Sequence, residues 1–396
     1  MNWFKRRHVH MDYAAATPTR GEVLRVMESL WAVDFGNPSS IHELGIRARR
    51  VLDEAREKAA RTLRVRAADI VFTSGGTESN NLAIIGSVKA MLESGVAPAD
   101  IEIISTGLEH PSITKALEAV KEIGVEVTLV PVSPDGQVVA ADFKQALSPK
   151  TRLVTLAYVN SEVGVVENIG RLVRIVRAFE KENGLTILFH TDACQAPLWL
   201  PCGMDSLSVD MMSLDAGKCR GPKGVGILAK RPRAKLRPVL VGGPQEDGLR
   251  PGTEPLPLIA GAAEALSLAQ AEYEGLASKV REKRDRFISL LLDIPGVTLN
   301  GPREDRVANN VNVSIEGVDT EFLVVALDHA GISCSTKSAC SGAGGGVSKV
   351  VLEMTRDSNK AMSTVRFTLS PEVTKRDIEY TVSAIKEHLR ASVLPR

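Results

Sequence analysis

No apolar run in this 396-residue chain approaches the roughly 20 residues needed to cross a membrane. Its first residues, Met-Asn-Trp-Phe-Lys-Arg-Arg-His, are basic but have no apolar stretch behind them, so they do not read as a secretory signal. Neither sign of charge is in excess. The 49 Lys+Arg against 48 Asp+Glu leave a formal charge of +1, which offers no electrostatic footprint for nucleic acid or a membrane surface. The five cysteines, Cys194, Cys202, Cys219, Cys334 and Cys340, are odd in number and contain no Cys-x-x-Cys pair. A disulfide framework and a zinc site are therefore not expected, no metal is assigned, and a reducing cytoplasm is the expected location. Gly-x-Gly-x-x-Gly and Walker A sequences are absent, which removes the two commonest nucleotide signatures. Internal repeats are absent as well.

What remains is an ordinary globular composition, 44% hydrophobic and 24% charged, in a chain too long for one compact core. Two domains are the natural expectation. Ser40-Ile-His-Glu43 has the form of a capping box, followed by Ile41, Leu44, Ala48, Val51, Ala55, Ala59 and Leu63 at helical spacing. Seven short apolar runs then alternate with helical stretches: 70–73, 101–104, 125–130, 153–158, 185–189, 210–213 and 225–228. Most are continuously apolar, as in a mainly parallel sheet covered on both faces. A Gly/Pro-rich segment at 242–253 interrupts the pattern before a long alanine-rich helix from about Leu258 to Leu292. Beyond it, strands at 310–314 and 365–369 and helices at 321–329 and 375–390 read as a smaller α+β unit. The expected division is an N-terminal segment, 1–20, packing with the small domain, then a large domain, 21–257, and a small C-terminal domain, 258–396.

The chemistry gathers at strand ends. Lys218 follows the apolar run that begins at Val209 and lies in a glycine-bounded turn, while the preceding strand delivers Asp192. A lysine and an aspartate at the ends of successive buried strands suit pyridoxal 5'-phosphate (PLP). The lysine forms a Schiff base, and the carboxylate holds the pyridinium proton that makes the ring an electron sink. Gly75-Gly76-Thr77, between a strand and a helix, offers backbone N–H groups and a hydroxyl to an anion. A capped helix after a tight turn would give the same signature. Cys340 is followed by Gly342, Gly344, Gly345 and Gly346, a composition that cannot bury its thiol firmly.

Taken in order, Met11-Asp-Tyr-Ala-Ala-Ala-Thr-Pro18, Gly75-Gly-Thr-Glu-Ser79, Glu109-His-Pro111, Asn160-Ser-Glu-Val-Gly164, His190-Thr-Asp-Ala-Cys-Gln195, Gly221-Pro-Lys-Gly224, Arg250-Pro-Gly-Thr253 and Ser338-Ala-Cys340 resemble the cysteine desulfurases. These belong to the class V aminotransferase group of PLP enzymes, and the resemblance covers essentially the whole chain. It implies PLP fold type I, with a mainly parallel seven-stranded sheet in the large domain. It also implies conversion of L-cysteine to L-alanine, with a persulfide on Cys340. The sulfur would pass to an acceptor protein, such as an iron–sulfur scaffold, for cluster assembly or tRNA thiolation. Lys218 would hold PLP and move the Cα proton. Asp192, Gln195, His110, Asn160, Gly76 and Thr77 would surround the cofactor, and Thr253 would reach its phosphate across a homodimer. Arg366 would clamp the substrate carboxylate through its planar fork. The long segment between Cys340 and Arg366 resembles the iron–sulfur housekeeping branch, whose cysteine loop is extended.

Other readings stay beside these. Lys223 is a neighbouring lysine, Cys334 a second thiol, and His110 could be a satisfied core histidine. Cys194, Cys202 and Cys219 read as packing residues. A selenocysteine lyase, another class V enzyme and a non-catalytic scaffold are the alternative functions. One departure stands out, because where the family carries a hydroxyl, a small residue and a histidine before the lysine, this chain has Asp215, Ala216 and Gly217. A carboxylate there would repel a phosphate unless Arg220 or another cation neutralises it, so weaker PLP retention is expected.

Overall fold

The computed structural model describes residues 8–336 and 346–393. A seven-stranded sheet forms its centre. The strands are β2 (Ile70–Thr73), β3 (Glu102–Thr106), β4 (Glu126–Val130), β5 (Thr151–Ala157), β6 (Leu188–Asp192), β7 (Met211–Asp215) and β8 (Gly226–Lys230). Their spatial order is β2-β8-β7-β6-β5-β3-β4, with β8 antiparallel to both neighbours and every other pairing parallel. The all-apolar runs follow from burial on two faces. Val71, Ile103, Leu153, Leu188 and Met211 enter one core, while their neighbours Phe72, Ile104, Val154, Phe189 and Met212 enter the other. A period-two pattern needs one wet face, and this sheet has none over most of its width.

Helices α1 (Gly21–Ala32), α2 (Glu43–Leu63), α3 (Gly76–Glu93), α4 (Pro111–Glu122), α5 (Ala140–Ala146), α6 (Ile169–Asn183) and the single turn α7 (Met204–Leu207) accompany the sheet. The α3 and α4 helices bury Leu82, Ile84, Val88, Ile113 and Leu117 on one side. On the other side lie α2, α6 and the 37-residue α8 (Leu256–Leu292). Following α8, β9 (Val297–Leu299), β10 (Asn310–Ile315) and β12 (Thr364–Thr368) form an antiparallel sheet in the order β12-β10-β9. Around it lie α9 (Thr320–His329), α10 (Lys349–Thr355), α11 (Ser358–Met362) and α12 (Lys375–Val393). The short β1 (Val9–His10) runs parallel to β11 (Ile332–Ser333), so the N-terminal segment packs beside C-terminal residues. Among the described residues, no helix is long and apolar enough to cross a membrane.

The start of α2 differs from the sequence expectation. Ser40 N–H donates to Asn37 O in a turn, Ile41 is 95% exposed, His42 is extended, and the helix begins at Glu43. Its cap is His42, whose ring nitrogen accepts from Gly45 N–H at 3.3 Å. A side chain at Gly45 would run into the Ser40 carbonyl, 2.2 Å from the Cβ position. The turn therefore lies directly against the first helical turn, leaving Ser40 no route to act as cap.

Candidate active site

Four parallel strands end at one cleft, the usual place for a ligand in an open α/β sheet. At the end of β3, a short turn leads to His110 at the N-cap of α4. The loop after β5 presents Asn160, β6 ends on Asp192, and β7 ends on Asp215. A single 3-10 turn, Ala216–Lys218, follows Asp215 and sets the lysine side chain into the cleft. From the other sheet, β12 contributes Arg366, and the segment after β1 contributes Ala14 and Ala15.

The Asp192 carboxylate has one donor on each oxygen, Asn80 Nδ2 at 2.8 Å and Cys194 N–H at 2.9 Å. Asn80 also donates to Ser112 Oγ at 2.9 Å, and Ser112 Oγ lies 2.8 Å from His110 Nδ1. The Ser112 backbone N–H, which can only donate, also points at Nδ1, at 3.2 Å. Nδ1 is therefore an acceptor, and the proton of the neutral ring sits on Nε2. Burial lowers the His110 pKa, with Asp192 opposing and Lys218 reinforcing the shift. The imidazole is held neutral and correctly turned.

Lys218 Nζ donates to the carbonyls of Ala14 and Ala15 at 2.9 and 2.6 Å, and Gln195 Nε2 donates to Ala14 O at 3.0 Å. Arg366 is almost fully buried. One guanidinium nitrogen pairs with Asp12 at 2.8 Å, another donates to Ser161 O at 3.2 Å, and Nε has no hydrogen-bond partner among the described residues. A buried guanidinium with an idle donor is suited to receiving a carboxylate. Asn160 lines the cleft, but both ends of its amide are engaged. Nδ2 donates to Leu108 O, and Oδ1 accepts from the N–H groups of Glu162 and Val163. It ties the β5 loop to the β3–α4 turn.

Lys218, Asp192, His110, Gln195, Asn160, Gly76 and Arg366 are thus brought together. Thr77, in the first turn of α3, and Thr253, in the loop before α8, are both exposed and do not line this cleft. Cys340 lies outside the described residues. Cys202, Cys219 and Cys334 are buried, and burial pushes all three thiols up, Cys219 to about 12. Cys194 lines the cleft, and burial raises its pKa as well. Sequence reasoning missed Asn80, Ser112 and Asp12. Only Asp12 carried a signal, as a charge inside the otherwise apolar start of Met11-Asp-Tyr-Ala-Ala-Ala.

The Aminotransferase class-V family model matches residues 9–381, and the chain belongs to that family. Its enzymes depend on PLP, and half-buried Lys218 and buried Asp192 in one cleft, with neutral His110 alongside, fit that group. The chain belongs, more narrowly, to the cysteine desulfurases. It is 38% identical to the cysteine desulfurase IscS of Dictyoglomus turgidum over 96% of this chain and 94% of that protein. A solved NifS-like protein superposes with a TM-score of 0.89 at 31% identity, covering 97% of this chain and all of the other. A structure of SspA in complex with cysteine has a TM-score of 0.77 at 31% identity, over 92% of this chain and all of that one.

Proposed function

We propose that this chain is a PLP-dependent cysteine desulfurase, with Lys218, Asp192, His110 and Arg366 as the working residues of the cleft and Cys340 as the sulfur acceptor. The observation that carries the assignment is the convergence of the Lys218 amine and the Asp192 carboxylate in one cleft beside a buried arginine with a free donor. Bound PLP supplies the electron sink for chemistry at the substrate Cα. Asp192, fixed by Asn80 and Cys194, holds the pyridinium proton, while Gln195 and Gly76 flank the cofactor and Asn160 braces the loop beside it. Arg366 receives the substrate carboxylate. Lys218 moves the Cα proton, and neutral His110 is placed to assist at the thiol.

The Cys340 thiolate then attacks the substrate sulfur. An S–S bond forms as the C–S bond breaks, the electron pair stays on the carbon skeleton, and protonation completes alanine. The persulfide passes to an acceptor protein. An iron–sulfur scaffold is the acceptor this reading favours, because the long stretch of sequence between Cys340 and Arg366 resembles the iron–sulfur housekeeping branch.

A homodimer is part of this reading. Trp31 and Ile41, 61% and 95% exposed around the α1–α2 turn, and Val241, 89% exposed in the segment leading to Thr253, are apolar surface that a second copy would cover. Such an arrangement would let Thr253 reach the phosphate of the other subunit. The four described cysteines are free, in keeping with a reducing cytoplasm.

The test is sulfide release from L-cysteine under reducing conditions, with PLP supplied, beside Cys340→Ala and Lys218→Ala. Loss of activity in both, with the Cys340→Ala protein still yellow, is the expected result. A colourless, inactive wild type would overturn the assignment and favour a non-catalytic scaffold.

A further inference from the structure

The corner of the cleft that would receive an anion is the start of α3, where Gly76 N–H points out of an 18-residue helix. The adjoining donor is the Gly217 N–H, in the turn before Lys218. Both already serve one carboxylate. Asp215 Oδ2 accepts from Gly76 N–H at 3.1 Å, and Oδ1 accepts from Gly217 N–H at 2.9 Å. The carboxylate is seated on the glycine turn itself, since a Cβ built on Gly75 would lie 3.4 Å from Oδ2. Gly75 gives α3 no side-chain cap, so Asp215 caps the helix from another strand. The Cys194 thiol fills the space over Gly76, 2.6 Å from its Cβ position.

Among the described residues, nothing cancels this charge by direct pairing. The Arg220 guanidinium forms its ion pair with Glu372, at 3.1 Å. Among the described residues, Asp215 forms no ion pair with a lysine or arginine. The stem of Lys223 runs along Gly217, which has no side chain to offer a donor. An incoming phosphate would meet a like charge on the N–H groups that should receive it, in a partly dry corner where such repulsion is strong. The ring end of the cleft has no such conflict.

We infer that Asp215 sets the cofactor specificity of this corner: by occupying the N–H groups of Gly76 and Gly217, its carboxylate cancels most of the advantage of phosphorylated over unphosphorylated pyridoxal. The inference rests on the assignment of Lys218 and Asp192 to the cofactor. It predicts that the chain takes the vitamin B6 aldehyde largely through those two residues and gains little from the phosphate.

The test is equilibrium binding of PLP and of pyridoxal to the full-length chain freed of cofactor, followed by Schiff-base absorbance and protein fluorescence. Wild type is compared with Asp215→Asn and Asp215→Ser. Asn preserves the shape and one acceptor oxygen, and Ser supplies a neutral hydroxyl should the amide disturb folding. The expected result is a rise in the ratio of pyridoxal Kd to PLP Kd of about tenfold or more in both variants, equivalent to ~1.4 kcal/mol. Pyridoxal affinity itself should move by less than about twofold. A ratio unchanged in both variants, or PLP binding weakened in both, overturns the role of Asp215 while leaving the cofactor assignment standing. Failure of wild type to bind either aldehyde overturns both.

Discussion

Glu109, one residue before His110, is a buried carboxyl that forms no ion pair among the described residues. Its Oε1 accepts from Thr106 Oγ1 at 2.8 Å and from Ala157 N–H at 3.3 Å, and Oε2 has no hydrogen-bond partner among the described residues. Burial pushes the Glu109 pKa up from 4.5 to about 8, against the pull of those two hydrogen bonds, with Asp192 and Glu167 adding to the rise. The folded protein therefore keeps a proton that the unfolded chain releases above its ordinary carboxyl pKa. This group's contribution to stability is complete below about 4.5 and declines as pH rises towards about 8. The slope is ~1.4 kcal/mol per pH unit, so the loss across the window reaches about 4–5 kcal/mol as an upper figure, because local opening lets water relieve the charge.

Glu109→Gln removes the titration while keeping an oxygen for Thr106 and Ala157. Its amide nitrogen takes the place of Oε2 and, lacking a partner there, costs ~1 kcal/mol. The variant should be slightly less stable than wild type near pH ~5 and clearly more stable by pH ~8, with the curves crossing in between. Urea midpoints at matched protein concentration, read at several pH values, provide the assay. Other titrating groups cancel in the difference between the two proteins. His190, for instance, is lowered to about 4 by burial and adds stability as pH rises towards its ordinary value, but it does so in both. Parallel stability profiles for wild type and Glu109→Gln between pH ~5 and ~8 would show that Glu109 is ionised in the folded state, and the reasoning would fail.

Two further outcomes follow from the cleft. Arg366→Lys exchanges a planar fork for a point charge beside Asp12. The KM for L-cysteine should rise about 10- to 100-fold, the loss of one charge-assisted bond, while cofactor absorbance stays unchanged. An unchanged KM would place the substrate carboxylate elsewhere. Because burial lowers the His110 pKa, the acid limb of kcat/KM should fall below the ordinary histidine value of ~6.5 and disappear in His110→Gln. A limb above that value, or one surviving in the variant, would assign the ionisation to another group.

The central strands were readable because burial on two faces writes them as apolar runs, yet their ends were displaced. The run at 185–189 belongs to a strand that the structure places at Leu188–Asp192. Its polar half is His190, bonded to Thr155 and Ser213, and Thr191, bonded to the Leu156 carbonyl. A buried polar residue with partners looks like a strand end until the partners are known. The same physics explains which parts of the site were visible. Lys218 and Asp192 could be inferred because strand ends expose side chains at a predictable place. The pairing of Asp12 with Arg366 joins residues 354 apart in sequence, and the carbonyls that hold Lys218 belong to alanines, whose side chains carry no trace of the contact.

Asp215 falls between these cases. Its identity marked it as an anomaly, since a carboxylate next to an anion site breaks a local rule that the rest of the chain obeys. Identity alone left two outcomes open, a charge that repels a phosphate or one that Arg220 or another cation neutralises. In the structure the carboxylate turns inward and takes the helix N–H group for itself, while Arg220 pairs with Glu372. That choice follows from Gly75 and Gly76. Without side chains they leave α3 uncapped and open to an acceptor from β7, and the acceptor the chain carries there is charged.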